Sequence, residues 1–273
     1  MSTRQVAASI LIVTVSWTLS AQKVQFVPVS KAEILERVEN MPLNDSERAD
    51  RIRELFRKAG CGGSLLREQA VEGAKTPNVI CVLNGTDDDT VIVGAHYDRS
   101  TVARPIDNWS GASLLPALYE SLRAKPRHHN YVFIAFADRG EFLSGAKSFA
   151  DHLSSSQLAH TEAMVNLDVL GLSPTKVWSS HSDKELVHDL LTMVYALKLS
   201  ASQINIDAAG GTDSDPFAER RIPHITIHSL TQQNLAEHAT TRFRPDNYYD
   251  TYRLLCGYLA YLDVVLKPRP VPE

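Results

Sequence analysis

Residues 131–137 read YVFIAFA, a run in which every side chain is aliphatic or aromatic. A strand that exposes one face to water alternates apolar and polar side chains, whereas a continuously apolar run favours a strand that is buried on both faces. Burial on both faces requires helices on both sides of the sheet. This stretch therefore predicts a central strand of an α/β fold.

Short β-branched runs and segments with helical apolar spacing alternate on either side of this strand. Further strands are predicted over residues 78–83, 90–95, 164–169 and 224–228, and helices over residues 46–59, 112–122, 145–153, 185–199 and 253–266. Such alternation is typical of α/β proteins whose strands are largely parallel. We therefore expect a three-layer sandwich, in which a mixed and mostly parallel central sheet is flanked by helices.

The length and the charge of the chain narrow its organisation and its partners. The chain has 273 residues and a formal net charge of -4, with no dense block of lysine and arginine. A nucleic-acid partner is not expected, because neutralising a phosphate backbone requires a basic surface. A chain of this length fits one α/β domain as well as two smaller ones, and we expect a single domain over residues 22–273.

The first residues have the pattern of a secretory signal. Arg4 precedes an uncharged, largely apolar stretch over residues 6–19, and the small residues Ser20 and Ala21 follow it. This pattern predicts a signal peptide over residues 1–21 and export to the periplasm or the extracellular space. The alternative is an uncleaved membrane anchor, although the stretch is shorter than the roughly 20 residues that a spanning helix needs. No later segment predicts a membrane span, so no membrane partner is expected after cleavage.

The three cysteines are far apart in the sequence, which argues against a thiolate zinc site. In an exported protein a disulfide can persist, and Cys61 and Cys81 can form one if neighbouring strands carry them. Cys256 would then be a buried thiol in the C-terminal helix. The alternative is three free buried cysteines.

Polar side chains that can bind a metal stand at the ends of the predicted strands. His96 and Asp98 follow one strand, Asp107 opens the next helix, Asp168 ends another strand, and His238 lies in a polar loop after the last strand. Ligands of open α/β sheets bind beyond the carboxyl ends of the strands. Nitrogen and oxygen donors without thiolate suit a hydrolytic zinc site that is open to water. Each residue also has a structural alternative, since Asp107 can cap a helix and His96 can be a core histidine.

Five segments carry a family resemblance, namely VGAHYD, DNWSGAS, FIAFADRGEFLSGAKSF, NLDVLG and GTDSDPFAERRIP. Together with the loop around His238, they resemble the secreted di-zinc aminopeptidases, whose relatives include glutamate carboxypeptidases and the single-zinc glutaminyl cyclases. The resemblance extends over about residues 78–263. It implies a zinc-exopeptidase fold, peptide substrates and zinc as the cofactor.

The resemblance also implies a role for each matching residue. His96, Asp107 and Asp168 would bind one zinc ion, and Asp107 would bridge to a second zinc ion that His238 also binds. Asp98 would orient the His96 imidazole from behind, which shapes the geometry and the basicity of the ligand.

Three other positions leave alternatives open. The loop around His238 lacks the aspartate that the family usually has shortly after this histidine, so His228 is an alternative ligand. Ser214 stands where the family has the histidine of a Ser-Asp-His segment, which makes a contact of this residue with metal or substrate doubtful. The cluster over residues 246–250, DNYYD, either lines the cleft and donates a phenol to the substrate or caps the closing helix.

One segment departs from the family at its most important positions. Where the family has two adjacent glutamates, the general base and a ligand of the second metal, this chain has Arg139 and Gly140. Arginine has no acceptor and glycine has no side chain, so neither can substitute. Glu141 is the preferred replacement base, with Asp138 as the other carboxylate nearby. The structural alternative for Glu141 is a surface loop residue paired with Arg139 or Lys147.

Two hypotheses follow for the function. The first is a secreted zinc aminopeptidase-like hydrolase with a degenerate site, in which one zinc ion is expected and a second is doubtful. The second is a pseudo-peptidase that retains the fold, one metal and peptide binding without turnover. Losing a general base lowers turnover by about 100-fold to 10,000-fold, so the two hypotheses differ in measurable activity.

Overall fold

The structure is a computed structural model that describes residues 24–99, 108–138, 143–206, 210–231 and 242–266. In these ranges no helix is both long and apolar enough to cross a membrane. The predicted signal peptide over residues 1–21 lies outside the described residues.

In the described ranges the chain forms eight β-strands, nine α-helices and a short 3-10 helix over Gly63–Leu65. The strands are β1 (Leu66–Gln69), β2 (Asn78–Leu83), β3 (Thr90–His96), β4 (Asn130–Phe136), β5 (Thr161–Leu167), β6 (Thr175–Ser182), β7 (Ala201–Gln203) and β8 (His224–His228). The helices are α1 (Lys31–Glu39), α2 (Asp45–Lys58), α3 (Trp109–Ala112), α4 (Leu115–Arg123), α5 (Ser144–Asp151), α6 (Ser155–Ala159), α7 (Lys184–Leu197), α8 (Asp215–Ala218) and α9 (Pro245–Val265).

The strands form one mixed sheet in the order β1-β2-β4-β3-β5-β8-β6-β7. The four central strands β4, β3, β5 and β8 are parallel, while β2 and β6 run antiparallel to their central neighbours. The carboxyl ends of the four parallel strands therefore lie along one edge of the sheet, called the C-terminal edge below. The predicted mixed and mostly parallel sheet is confirmed.

Side chains that alternate along the central strands bury both faces of the sheet. On β3, Val91 and Val93 belong to a core that includes Tyr252 of α9, whereas Ile92 belongs to a second core that includes Phe149 of α5. Helices α1, α2, α4, α7 and α9 contribute to the first core, and α5 and α8 contribute to the second. The three-layer sandwich expected from the apolar strand YVFIAFA is thus confirmed.

The structure departs from the expected elements where polar or helix-breaking residues intervene. The helix expected over residues 112–122 is observed as α4, which begins later, at Leu115, and is separated from the short α3, because the ring of Pro116 would clash with the carbonyl of Ala112 in a continuous helix. The closing helix begins already at Pro245. Strands β1, β6 and β7 and helices α1, α6 and α8 were not predicted, and β1 and β6 read LREQ and TKVWSSHS, which lack a strong apolar pattern.

The cysteines are arranged as the first alternative predicted. Cys61 and Cys81 form a disulfide with an Sγ–Sγ distance of 2.10 Å, and Cys256 is a buried free thiol. Cys81 lies on β2, whereas Cys61 follows the end of α2 instead of lying on a strand. The bridge therefore joins α2 to the sheet.

Candidate metal centre

The first element of the candidate site is the carboxyl end of β3. His96 is buried there, and its Nδ1 atom lies 3.0 Å from Oδ1 of Asp98. Because an ionised carboxylate only accepts hydrogen bonds, this contact places a proton on Nδ1, so that Nε2 is the nitrogen that can bind a metal once its own proton is displaced. The backbone between the two residues is also held, since Nη1 of Arg48 donates to the carbonyl oxygens of Tyr97 and Asp98 at 3.0 and 3.1 Å.

The second nitrogen of His96 faces the end of the neighbouring strand. Nε2 is buried and has no hydrogen-bond partner among the described residues. Oδ1 of Asp168, which directly follows β5, lies 3.6 Å away, beyond normal hydrogen-bond distance. A buried ring nitrogen and a carboxylate oxygen thus face the same small space, and both are atom types that bind a cation.

The surrounding charges favour a positive ion at this place. Burial alone would lower the pKa of His96, but the carboxylates of Asp213, Asp168 and Asp98 outweigh it and raise this pKa to about 10. The site therefore stabilises positive charge at the imidazole strongly enough to overcome desolvation. A divalent cation that binds Nε2 would satisfy the same three carboxylates and displace the proton.

Helix α3 approaches the two strand ends closely. A Cβ atom on Gly111 would lie 2.6 Å from the carbonyl oxygen of Leu167 and 3.0 Å from that of Asp168, so only glycine permits this approach. Just before α3, Nδ2 of Asn108 donates to the carbonyl oxygen of Asp98 at 2.8 Å. The segment NWSG is therefore packed directly against the ends of β3 and β5.

The loop that follows β4 is anchored at both ends. A Cβ atom on Gly145 would lie 2.2 Å from the carbonyl oxygen of Ala137, and Asn78 bonds both the backbone N–H of Ala137 and the carbonyl oxygen of Gly145 at 2.9 Å. Asp138 and Leu143 border the undescribed residues 139–142, and both have left-handed backbone angles, with φ of 45° and 52°. Close packing thus holds the chain at Ala137 and at Gly145, on either side of the undescribed residues.

The comparison with protein families agrees with this arrangement. The family model described as "Peptidase family M28" matches residues 78–253, which include both strand ends and α3. The chain belongs to peptidase family M28. Among curated proteins, Aminopeptidase YwaD of Bacillus subtilis (strain 168) is 30% identical to this M28 chain over 165 residues, which cover 56% of this chain and 34% of YwaD.

Solved structures share the fold of this M28 chain. The LapA aminopeptidase of Legionella pneumophila superposes with a TM-score of 0.73 at 15% identity, covering 88% of this chain and 73% of LapA. BSAP, a zinc aminopeptidase from Bacillus subtilis, gives a TM-score of 0.58 at 21% identity and covers 67% and 49%. The glutaminyl cyclase of Fimbriiglobus ruber gives 0.66 at 15% identity and covers 87% and 97%. The chain spans about a third of YwaD and about half of BSAP.

The described part of this M28 chain contains some of the predicted site residues. His96, Asp98 and Asp168 lie together at the C-terminal edge. The predicted ligands Asp107 and His238 lie outside the described residues, as do Arg139, Gly140 and the predicted base Glu141. Within the described ranges, no group of three or more histidine, cysteine, aspartate or glutamate residues is arranged to hold a metal ion.

His228, the alternative to His238 as a metal ligand, lies in the core. Its Nδ1 accepts from the backbone N–H of Leu230 at 3.1 Å, and its Nε2 is 3.2 Å from the carbonyl oxygen of Ile204. Burial lowers the pKa of His228 to about 4, so the ring is neutral. Both nitrogens are therefore used inside the protein, and neither is left to bind a metal.

Asp213 is a buried acidic residue that the sequence did not single out. Its carboxylate is buried, and its charge acts on His96. It lies in the segment GTDSDPF, where the family resemblance drew attention to Ser214 instead. The hydroxyl of Ser214 lies 2.9 Å from that of Thr226 on β8, which makes Ser214 part of a buried polar network.

The DNYYD cluster has neither of the roles proposed for it. Tyr248 is buried, and its hydroxyl donates to the carbonyl oxygen of Ser110 at 2.7 Å, while the hydroxyl of Tyr249 donates to the carbonyl oxygen of Val29 at 3.3 Å. Both phenols are thus used within the fold. Because α9 begins at Pro245, the cluster forms the first turns of the helix instead of its cap.

Proposed function

We propose that this M28 chain is a zinc-dependent peptidase that removes N-terminal residues from peptides, with a degenerate general-base position. The observation that carries the proposal is the buried Nε2 of His96, which faces Asp168 at 3.6 Å while Asp98 holds the opposite nitrogen. Membership of a peptidase family supports hydrolysis of peptides. The names of YwaD, LapA and BSAP support an aminopeptidase in particular.

His96 and Asp168 are the described residues that would hold the zinc ion, with Asp107 and His238 as the further proposed ligands. When bound, zinc polarises a peptide carbonyl and makes a water molecule more acidic. Asp98 keeps the imidazole in the tautomer that leaves Nε2 available. We propose a single zinc ion, because Gly140 offers no side chain at the position of the second metal's ligand.

The general base is the least preserved part of the proposed mechanism. The contacts of Gly145 with Ala137 and Asn78 support the alignment that places Arg139 at the base position. An arginine cannot accept a proton from water, since its pKa is too high. Glu141 is therefore the proposed replacement base, with exposed Asp138 as the other carboxylate beside the loop.

The same anchoring favours the second candidate function, a pseudo-peptidase. If residues 139–142 cannot shift in register, Glu141 stays one position beyond the family's metal ligand and two positions beyond its base. The chain would then bind zinc and peptide without useful turnover, since losing a general base lowers the rate by about 100-fold to 10,000-fold.

We also propose that the protein is exported, with residues 1–21 as its signal peptide. The disulfide between Cys61 and Cys81 supports this proposal, because structural disulfides persist mainly in oxidising compartments.

The decisive experiment measures metal content and turnover on the same preparation. We expect about one zinc ion per purified chain by mass spectrometry of metals, and slow, chelator-sensitive hydrolysis of a panel of aminoacyl substrates. His96→Ala should lose both zinc and turnover, while His188→Ala, which changes an exposed histidine on α7, should keep both. Zinc without turnover on any substrate would establish the pseudo-peptidase. A wild-type chain that binds no zinc would refute both functions.

A further inference from the structure

A buried arginine near the start of α2 bonds the backbone beside the candidate metal centre. Nη1 of Arg48 donates to the carbonyl oxygens of Tyr97 and Asp98 at 3.0 and 3.1 Å. Its Nε donates to the carbonyl oxygen of Pro42, just before the helix, at 3.1 Å. The guanidinium group therefore joins the chain that enters α2 to the chain that leaves β3.

A second side chain of the same helix holds the next residue of that segment. Oδ1 of Asp45, the first residue of α2, accepts from the backbone N–H of Arg99 at 2.7 Å. Asp45 and Arg48 are three positions apart, so their side chains leave the same face of the helix. Helix α2 thus bonds three consecutive residues, 97–99, and Asp98 is the middle one.

The burial of Arg48 indicates that its charge has a task. Only 2% of its surface is exposed. Taking a guanidinium group out of water is costly, and an apolar side chain of similar volume would avoid this cost. Two of the carbonyl oxygens that Arg48 binds belong to the segment that carries Asp98, so this segment is where its hydrogen bonds act.

We propose that Arg48 is a positioning residue for the metal centre, since it keeps the Asp98 carboxylate on Nδ1 of His96. It acts through the backbone of residues 97–99, which Asp45 helps to hold. The carboxylate lies 3.0 Å from Nδ1, so a backbone shift of about 1 Å would break this hydrogen bond. The outer partner of a metal-binding imidazole sets its orientation and its basicity. The inference rests on the proposed function where it concerns the affinity for zinc, whereas the contact between Asp98 and His96 can be tested without metal.

The first test is a zinc titration of the metal-free full chain, monitored by calorimetry. Arg48→Met keeps an unbranched stem but removes every donor, and it should weaken zinc binding about tenfold, as the loss of an outer partner of a metal ligand does. Arg57→Met, which alters an exposed arginine on the same helix, should bind zinc as the wild type does.

A double-variant cycle separates positioning from general destabilisation. If Arg48 acts through the Asp98 carboxylate, Arg48→Met should weaken binding little further in a chain that already carries Asp98→Ala. Independent effects that multiply would overturn the inference.

The second test observes the contact itself in the metal-free chain. Nuclear magnetic resonance of the chain labelled with ¹⁵N-histidine should show a slowly exchanging proton on Nδ1 of His96, assigned by its loss in His96→Ala. In Arg48→Met this proton should exchange faster, while the ring N–H of His228, whose Nε2 lies 3.2 Å from the carbonyl oxygen of Ile204, should be unchanged. An unchanged His96 signal would overturn the inference.

A further pair of variants keeps the inference testable if thermal unfolding shows that Arg48→Met does not fold. Asp45→Ala then carries the same expectations, and Asp45→Asn, which keeps an oxygen acceptor for Arg99, is its control. Wild-type zinc affinity in a folded Arg48→Met chain would overturn the inference alone. A wild-type chain without zinc affinity would overturn the proposed function, and the exchange of the His96 proton would still decide the role of Arg48.

Discussion

One ring nitrogen of His96 is held by a hydrogen bond, and the other is available to bind a metal ion. Asp98 holds Nδ1 at 3.0 Å, and Nε2 faces Asp168 without a hydrogen bond from any described residue. A histidine in a well-packed core normally satisfies both nitrogens, as His228 does in this molecule. The contrast between these two histidines distinguishes a ligand from a core residue better than their positions in the sequence do.

At this scale we expect Asp98→Ala to weaken zinc binding by about tenfold or more, because the variant loses the carboxylate that fixes the tautomer of His96. Equilibrium dialysis against a zinc-binding dye measures the change. Asp87→Ala, which removes an exposed carboxylate before β3, is the matched control and should leave the affinity unchanged. Equal affinities of Asp98→Ala and the wild type would contradict the role assigned to Asp98.

The base position gives a second prediction for single residues. The double substitution Arg139→Glu with Gly140→Glu should raise aminopeptidase turnover at least about tenfold, which is the lower end of what a general base contributes. Arg139→Ala with Gly140→Ala removes the arginine without adding carboxylates and should show no such gain. An absent gain in the glutamate variant would mean that other parts of the site have also diverged.

At the scale of elements, strands with buried side chains were predicted from the sequence more accurately than exposed ones. Strands β2 and β8 were predicted with their observed bounds, because the runs NVICVL and HITIH carry strong apolar or β-branched patterns. Strand β1 is an edge strand, and its sequence LREQ has no pattern that separates it from a loop. Tertiary pairing with β2, which no local signal encodes, makes it a strand.

The candidate site also combines features that a local sequence pattern predicts with features that depend on tertiary contacts. The spacing of His96 and Asp98 is local, so the sequence alone predicted that they belong together. The turn that carries Asp213 is held because Thr212 and Ser214 bond side chains of β5 and β8, and contacts of this kind depend on the completed sheet. Tyr248 was misjudged for a related reason, since its partner Ser110 lies far away in the sequence.

The packing of α3 against β5 gives the prediction at this scale. Gly111→Ala should lower the free energy of unfolding by about 1–3 kcal/mol, because the new methyl group would overlap the carbonyl oxygen of Leu167. Denaturation in urea measures the loss. Gly62→Ala is the control, since nothing lies within 4 Å of the added atom there. A stable Gly111→Ala variant would show that α3 can move away from the strand ends.

At the scale of the whole molecule, buried charges join the last helix, α9, to the amino end of β4. Oδ1 of Asp263 on α9 accepts from the backbone N–H groups of His128 and His129 at 3.0 Å and lies 3.4 Å from Nδ1 of His129. Burial opposes ionisation of Asp263, but these hydrogen bonds and the charge of Arg127 outweigh it and lower its pKa. For His129, burial likewise opposes the charged form, and Asp263 outweighs it and raises the pKa.

These shifts predict a pH dependence of stability. Because the pKa of Asp263 is lower in the folded state, its contribution is complete above its unfolded pKa and is lost as the pH falls through the folded value. His129 has a raised pKa, so its contribution is present at low pH and is lost as the pH rises through the folded value. Stability from this cluster is therefore greatest between the unfolded-state pKa of Asp263 and that of His129.

Asp263→Asn should cost about 3 kcal/mol of unfolding free energy near neutral pH, the scale of a broken buried ion pair. The deficit should shrink as the pH falls through the folded pKa of Asp263, because the wild-type carboxyl group then becomes neutral too. Urea denaturation at several pH values provides the measurement. Asp250→Asn changes an exposed carboxylate on the same helix and should have little effect at any pH. A deficit that does not vary with pH would exclude ionisation as its cause.

The bridge between Cys61 and Cys81 bears on the imidazole of His96 as well as on the strength of the fold. It joins the chain just after the carboxyl end of α2 to β2. Arg48, near the amino end of the same helix, donates hydrogen bonds to the backbone oxygens of Tyr97 and Asp98. Reduction of the disulfide would release the carboxyl end of α2, and the amino end of the same helix carries Arg48, which holds the backbone beside His96. This reduction is therefore expected to remove one constraint on the helix whose Arg48 side chain holds the backbone beside His96.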